Sequence, residues 1–134
     1  MRGHYHYTFD VREKQAEDLL RLEVIVSTLE DSKERGSGMR GKIAGADGYY
    51  ESKDYIQRYV RGTLKEAGAH HVIVAVENGS VVGFLGYWKG PSTWLENSLQ
   101  LDFLVAAPDA QNPREVLSRL RDYYHQVCVP EEMP

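Results

Sequence analysis

Residues 72–88 constrain this chain more than any other stretch. Val72-Ile73-Val74-Ala75-Val76 is an unbroken apolar run, Glu77-Asn78-Gly79-Ser80 follows, and Val81-Val82-Gly83-Phe84-Leu85-Gly86-Tyr87-Trp88 is a second run. Two β-branched runs joined through Asn-Gly predict a tight hairpin, because a type I′ turn needs positive φ at both central residues and Asn-Gly supplies it at little cost. The turn predicts the pairing as well: Val76 with Val81, Val74 with Gly83 and Ile73 with Phe84. Both faces of such a hairpin are apolar, so the fold must place helices on each side of the sheet.

The rest of the chain supplies those helices. Tyr5, Tyr7, Phe9 and Val11 alternate with His6, Thr8 and Asp10, the period of a half-buried strand. His4 and His6 share its polar side and read as a solvated face; no third residue at a telling spacing turns them into a metal site. From about Lys14 to Leu29 the period becomes helical, with Ala16, Leu19, Leu22, Val26 and Leu29 in one stripe. Tyr55, Ile56, Tyr59, Val60, Thr63, Leu64 and Ala67 predict a second helix over residues 52–67, closed by Gly68 in the left-handed conformation. Residues 94–107 read as a third strong strand, with Leu99, Leu101, Phe103 and Val105 on one face and Ser98, Gln100, Asp102 and Leu104 on the other. Asn112-Pro113-Arg114-Glu115 opens a last helix over residues 113–127, with Asn112 as N-cap, Pro113 in the first position and Glu115 at the capping-box position. Val127-Cys128-Val129 is expected to add a short strand, and residues 130–134 are a tail.

Residues 30–52 differ in kind: Gly36, Gly38, Gly41, Gly45 and Gly48 interrupt them and little is apolar, which predicts a flexible loop. Gly36-Ser37-Gly38-Met39-Arg40-Gly41 has the letters of a phosphate-binding glycine motif, but that motif works between a strand and a helix, and here a helix precedes it. His70 and His71 are adjacent on a strand and point to opposite faces, so they do not pair on a metal.

One domain of 134 residues is long enough for a full core. A net charge of −4 argues against a general nucleic-acid binder, which needs a positive field. Cys128 stands alone, which points to a reducing, cytoplasmic setting rather than a disulfide framework. No run reaches membrane-spanning length, and the first residues lack the apolar core of a signal peptide.

The order strand, helix, long loop, helix, hairpin, strand, helix resembles the first two thirds of the GNAT acetyltransferase family. The likeness spans residues 5–127 and lies in four places. Phe9-Asp10-Val11-Arg12 leads into Glu17-Asp18-Leu19-Leu20-Arg21-Leu22. The hairpin carries Val74 to Phe84, the strand of residues 99–105 runs into Ala106-Ala107-Pro108, and a helix follows at once. The resemblance implies an α+β domain with a mixed, mainly antiparallel sheet, helices on both faces and the C-terminal part of the fold truncated. It implies acetyl-CoA as cosubstrate, its pantetheine against the backbone of Leu104, Val105 and Ala106. It implies the pyrophosphate at a Q/R-x-x-G-x-G/A loop, on which Gln111, Asn112 and Arg114 fall. The two glycine positions of that loop carry Arg114 and Val116, and Pro113 removes an amide, so weak or absent acetyl-CoA binding is expected.

Under this resemblance the reaction is acyl transfer to a small-molecule or peptide amine. Asp102 is the expected base, with Glu96 behind it, and the loop of residues 30–52 shapes the acceptor site. No metal, nucleic acid or membrane is implied. The alternative is a non-catalytic binding or assembly protein that keeps the fold but has lost acetyl-CoA binding, which resembles some small divergent proteins carried by tailed phages. The strand of residues 99–105 needs a neighbour on its outer side, which predicts a homodimer or another protein partner.

Overall fold

The computed structural model describes residues 7–29, 52–65, 67–90 and 98–129. Glu96, His4, His6 and the glycine-rich residues 30–51 lie outside these, so the expectations placed on them have no structural counterpart here.

Four strands, β1 (Phe9–Glu13), β2 (His70–Glu77), β3 (Ser80–Gly90) and β4 (Ser98–Ala106), form one sheet in the order β1-β2-β3-β4, every pair antiparallel. The helices are α1 (Leu19–Ser27), α2 (Lys53–Arg61) and α3 (Pro113–Tyr123). α1 and α2 pack together on one face, and α3 lies across the other. Phe84, Phe103, Leu22, Ile25, Ile56, Ile73, Leu85 and Leu104 are fully buried, each worth about 1.5–3 kcal/mol of transfer free energy. The two-sided hairpin therefore has the helices on both faces that its composition demanded.

The hairpin turn is as expected, with Asn78 at φ 49° and Gly79 at φ 82°, and Val76 opposite Val81. Beyond that pair the register differs by one residue. Ala75 faces Gly83, Val74 faces Phe84 and Ile73 faces Leu85, so Val82 is an extra residue in β3. The carbonyl of Val82 accepts the Ala107 N–H at 2.7 Å, a bond from the end of β4 that holds the bulge in place. Gly83 is the next residue and fills a narrow gap. A Cβ there would lie 2.5 Å from Val116 Cγ1 and 2.8 Å from the Val105 carbonyl oxygen, so the position requires glycine for α3 to approach.

Three boundaries move for identifiable reasons. α1 starts at Leu19 rather than Lys14, after a 3₁₀ turn, Ala16–Asp18. The cause is Asp18, only 6% exposed, which accepts the Gln15 N–H at 2.7 Å and both Arg12 nitrogens at 2.8 and 3.1 Å. α2 begins as expected, with Ser52 Oγ accepting the Tyr55 N–H, but it ends at Gly62, φ 73°, not at Gly68. The Thr63 N–H returns to the Arg58 carbonyl and closes the turn there. The expected strand of residues 127–129 is absent: α3 continues as a π-helical turn, Tyr124–Cys128, because Tyr124 and Cys128 are both buried on one side and the Tyr124 ring packs 5.6 Å from Tyr87.

Candidate functional site

β4 carries a second bulge, and the candidate base sits on it. Leu101 faces Tyr87 and Phe103 faces Gly86, so Asp102 has no opposite number in β3. Cross-strand partners share a face. Tyr87 lies on the α3 side with Tyr124, whereas Phe103 meets Tyr59 of α2, with ring centroids 4.8 Å apart. The extra residue thus lets the strand switch faces, and this overturns the expected alternation: Leu99 and Leu101 lie on the α3 side, Phe103 and Val105 on the other. Asp102 turns towards α2, where the Tyr59 hydroxyl donates to Oδ2 at 2.9 Å and Gln100 Nε2 donates to Oδ1 at 3.3 Å. Leu104 does not share its face.

Tyr59 was legible only as part of a helical stripe. It is 3% exposed and meets Tyr55, His70 and Phe103 edge-on. Burial, then the charge of Asp102 and the hydrogen bond to it, push its phenol far above the ordinary 10.0. It therefore stays a donor across the physiological range and holds the carboxylate in one orientation. A polar cleft of about 240 Å³ reaches Tyr59 from Glu13, Lys14, Arg61, His70 and His71. The two histidines sit as the sequence implied, His70 against Tyr59 and His71 stacked on Tyr87 across the sheet.

Leu104, Val105 and Ala106 are buried in side chain, and their backbone is what remains to offer. The Ala107 N–H points at β3, where it meets Val82. By the two-residue period Val105 also faces β3, while the amides of Leu104 and Ala106 face the outer edge. β4 is the outermost strand of the described sheet.

The start of α3 is less open than the resemblance implies. Pro113 has no N–H, the Glu115 N–H is taken by Asn112 Oδ1 at 3.2 Å, and the Val116 N–H bonds the Asn112 carbonyl at 3.1 Å. Gln111 turns its N–H to Glu77 Oε1 at 3.5 Å. Glu77 is 7% exposed and also accepts the Tyr7 hydroxyl at 2.8 Å, a bond that raises the Tyr7 phenol above its ordinary value. Val116 is buried against Gly83 rather than lying at a loop, and Arg114 is exposed.

Two residues beside this turn were not singled out in the sequence. Arg21 of α1 donates to both Asp109 oxygens, at 3.0 and 3.1 Å, and its Nε donates to the Val81 carbonyl at 2.9 Å. The pair stands at the rim of an apolar cleft of about 350 Å³ lined by Val24, Ile25, Thr28, Ala107 and Pro108. Only the fold could reveal this site, since the two residues are 88 positions apart.

No protein-family model matches the chain, and no curated protein matches it. A crystal structure from Desulfovibrio desulfuricans, assigned to the GNAT acetyltransferase family, is similar in fold at a TM-score of 0.57 and 20% identity. The match covers 92% of this chain and 68% of that one. The likeness establishes the GNAT-like α+β fold. At this identity the chemistry has to be argued from the site.

Proposed function

We propose that the chain carries an acyl-transfer site of the GNAT type, built on the β4 bulge, which passes an acyl group from a thioester to an amine. The observation that carries this reading is Asp102, displaced from the β4 ladder and fixed by Tyr59. Such a carboxylate takes a proton from an incoming ammonium, directly or through water, and leaves the amine nucleophilic. The outward amides of Leu104 and Ala106 run along the same edge and offer donors for an amide-bearing donor arm or a developing oxyanion. Acetyl-CoA is the donor that the fold likeness suggests. The thioester arm suits the edge, but the α3 start does not suit the diphosphate. The acceptor is a small-molecule or peptide amine. Among the described residues no helix is long and apolar enough to cross a membrane. A cytoplasmic setting is part of this proposal.

The test follows thiol release from acetyl thioesters with a panel of primary amines. Asp102→Asn is expected to cut turnover about 100-fold or more, as loss of a general base does, while a thioester still raises the melting temperature. Full activity in that variant would remove Asp102 from the mechanism. The consumed amides of α3 favour a second reading, a non-catalytic binding or assembly protein of the same fold. Absence of thiol release with every amine, together with a melting temperature that acetyl-CoA and CoA leave unmoved, selects it.

A further inference from the structure

We propose, resting on the acyl-transfer reading, that the donor is recognised through an S-acyl-pantetheine arm and that its nucleotide diphosphate adds nothing to binding. The turn into α3 is already supplied with negative charge by the chain itself. Glu77 faces the Gln111 amide from inside the fold, Asp109 stands exposed in the turn, and Glu115 occupies the first turn of α3. These carboxylates meet the positive end of the helix that a diphosphate would otherwise use.

The cations in reach do not reverse this. Arg21 spends its Nε on the Val81 carbonyl and one terminal nitrogen on both Asp109 oxygens, so its charge is already paired, and a phosphate at the remaining nitrogen lies beside that carboxylate. Arg114 is exposed, where salt and water screen its charge. Arg119 lies over the Phe9 ring and 3.8 Å from Glu115.

An uncharged, extended, amide-bearing arm meets the opposite conditions. It pairs with the outward backbone of Leu104 and Ala106 as an added strand does. Directly after Ala106, it meets the apolar wall of Ala107, Pro108, Val24 and Ile25. Recognition is therefore built for the arm and set against the phosphates.

Calorimetry separates the parts of the donor. The intact chain is titrated with S-acetyl-pantetheine, with acetyl-CoA and with adenosine 3′,5′-bisphosphate. The two thioesters are expected to bind within about threefold of each other, and the nucleotide alone to give no heat. Asp109→Asn, at an exposed position, is expected to raise affinity for acetyl-CoA several-fold and leave that for S-acetyl-pantetheine unchanged. Acetyl-CoA binding the unaltered chain about tenfold or more tighter than S-acetyl-pantetheine overturns the inference and leaves the acyl-transfer reading standing. Binding of neither thioester at millimolar concentration sinks both.

Discussion

At the scale of single residues, two buried carboxylates show how this chain handles charge. Glu77 is met by neutral donors, a phenol and a backbone amide. Asp18 is instead paired with Arg12, and that pairing reports on pH. The Arg12 hydrogen bonds hold the Asp18 carboxyl below its ordinary 3.8, against the opposing effect of burial. A group whose folded-state pKa is lowered adds stability above its unfolded value and loses it as pH falls through the folded one. The stabilisation is therefore complete near neutrality and fades below about pH 4. Asp18→Asn is expected to cost about 1–2 kcal/mol at neutral pH, towards the low end because Arg12 is a third exposed. Denaturant unfolding of both proteins between about pH 3 and 7 checks this: their curves must converge on acidification, and parallel curves would show that the pair is inert.

At the scale of elements, the capping of α2 yields a direct comparison between two glycines. Gly62 sits at φ 73° just past the helix, where an L-residue is strained, whereas Gly68 has open space around it and needs no positive φ. Gly62→Ala is expected to cost about 1 kcal/mol and Gly68→Ala to stay within about 0.5 kcal/mol, read from urea midpoints at constant m-value. Equal effects would contradict the cap at Gly62. The same contrast explains what the sequence disclosed. Element type was legible wherever a period was long and clean, as in the hairpin runs, the α1 stripe and the Asn112-Pro113 helix start. Two glycines close together in a helical context look alike in sequence, and the choice between them fell to the Thr63–Arg58 bond. The bulges at Val82 and Asp102 left no signal in the chain either. One is held by Ala107, 25 residues later, and the other places its carboxylate on Tyr59, 43 residues earlier. Asp102 was thus legible as a candidate from its polarity on an apolar strand, while its partner and the face it occupies were not. Arg21 and Asp109 were missed for the same reason.

At the scale of the whole molecule, the strands lie in sequence order in one sheet, and among the described residues β4 is an edge strand. Leu104 and Ala106 turn backbone amides outward along it, and Val127 leaves apolar surface on the last helical turn at 36% exposure. An edge of this kind pairs with another chain unless something covers it. Antiparallel pairing of β4 with its own copy across a two-fold axis satisfies both edges at once, the simplest closed assembly. A homodimer is therefore expected in light scattering at micromolar concentration. The interface expected is β4 with the last helix, and not a donated strand of residues 127–129, since these are helical. The donor arm proposed for this site uses the same outward amides, so the two occupants compete. A ligand that binds one state shifts the equilibrium towards it. Saturating S-acetyl-pantetheine should accordingly lower the average mass towards that of the monomer. A dimer whose mass is indifferent to the thioester, with the thioester bound, would place the interface elsewhere. A monomer at every concentration would show that the β4 edge is not self-complementary.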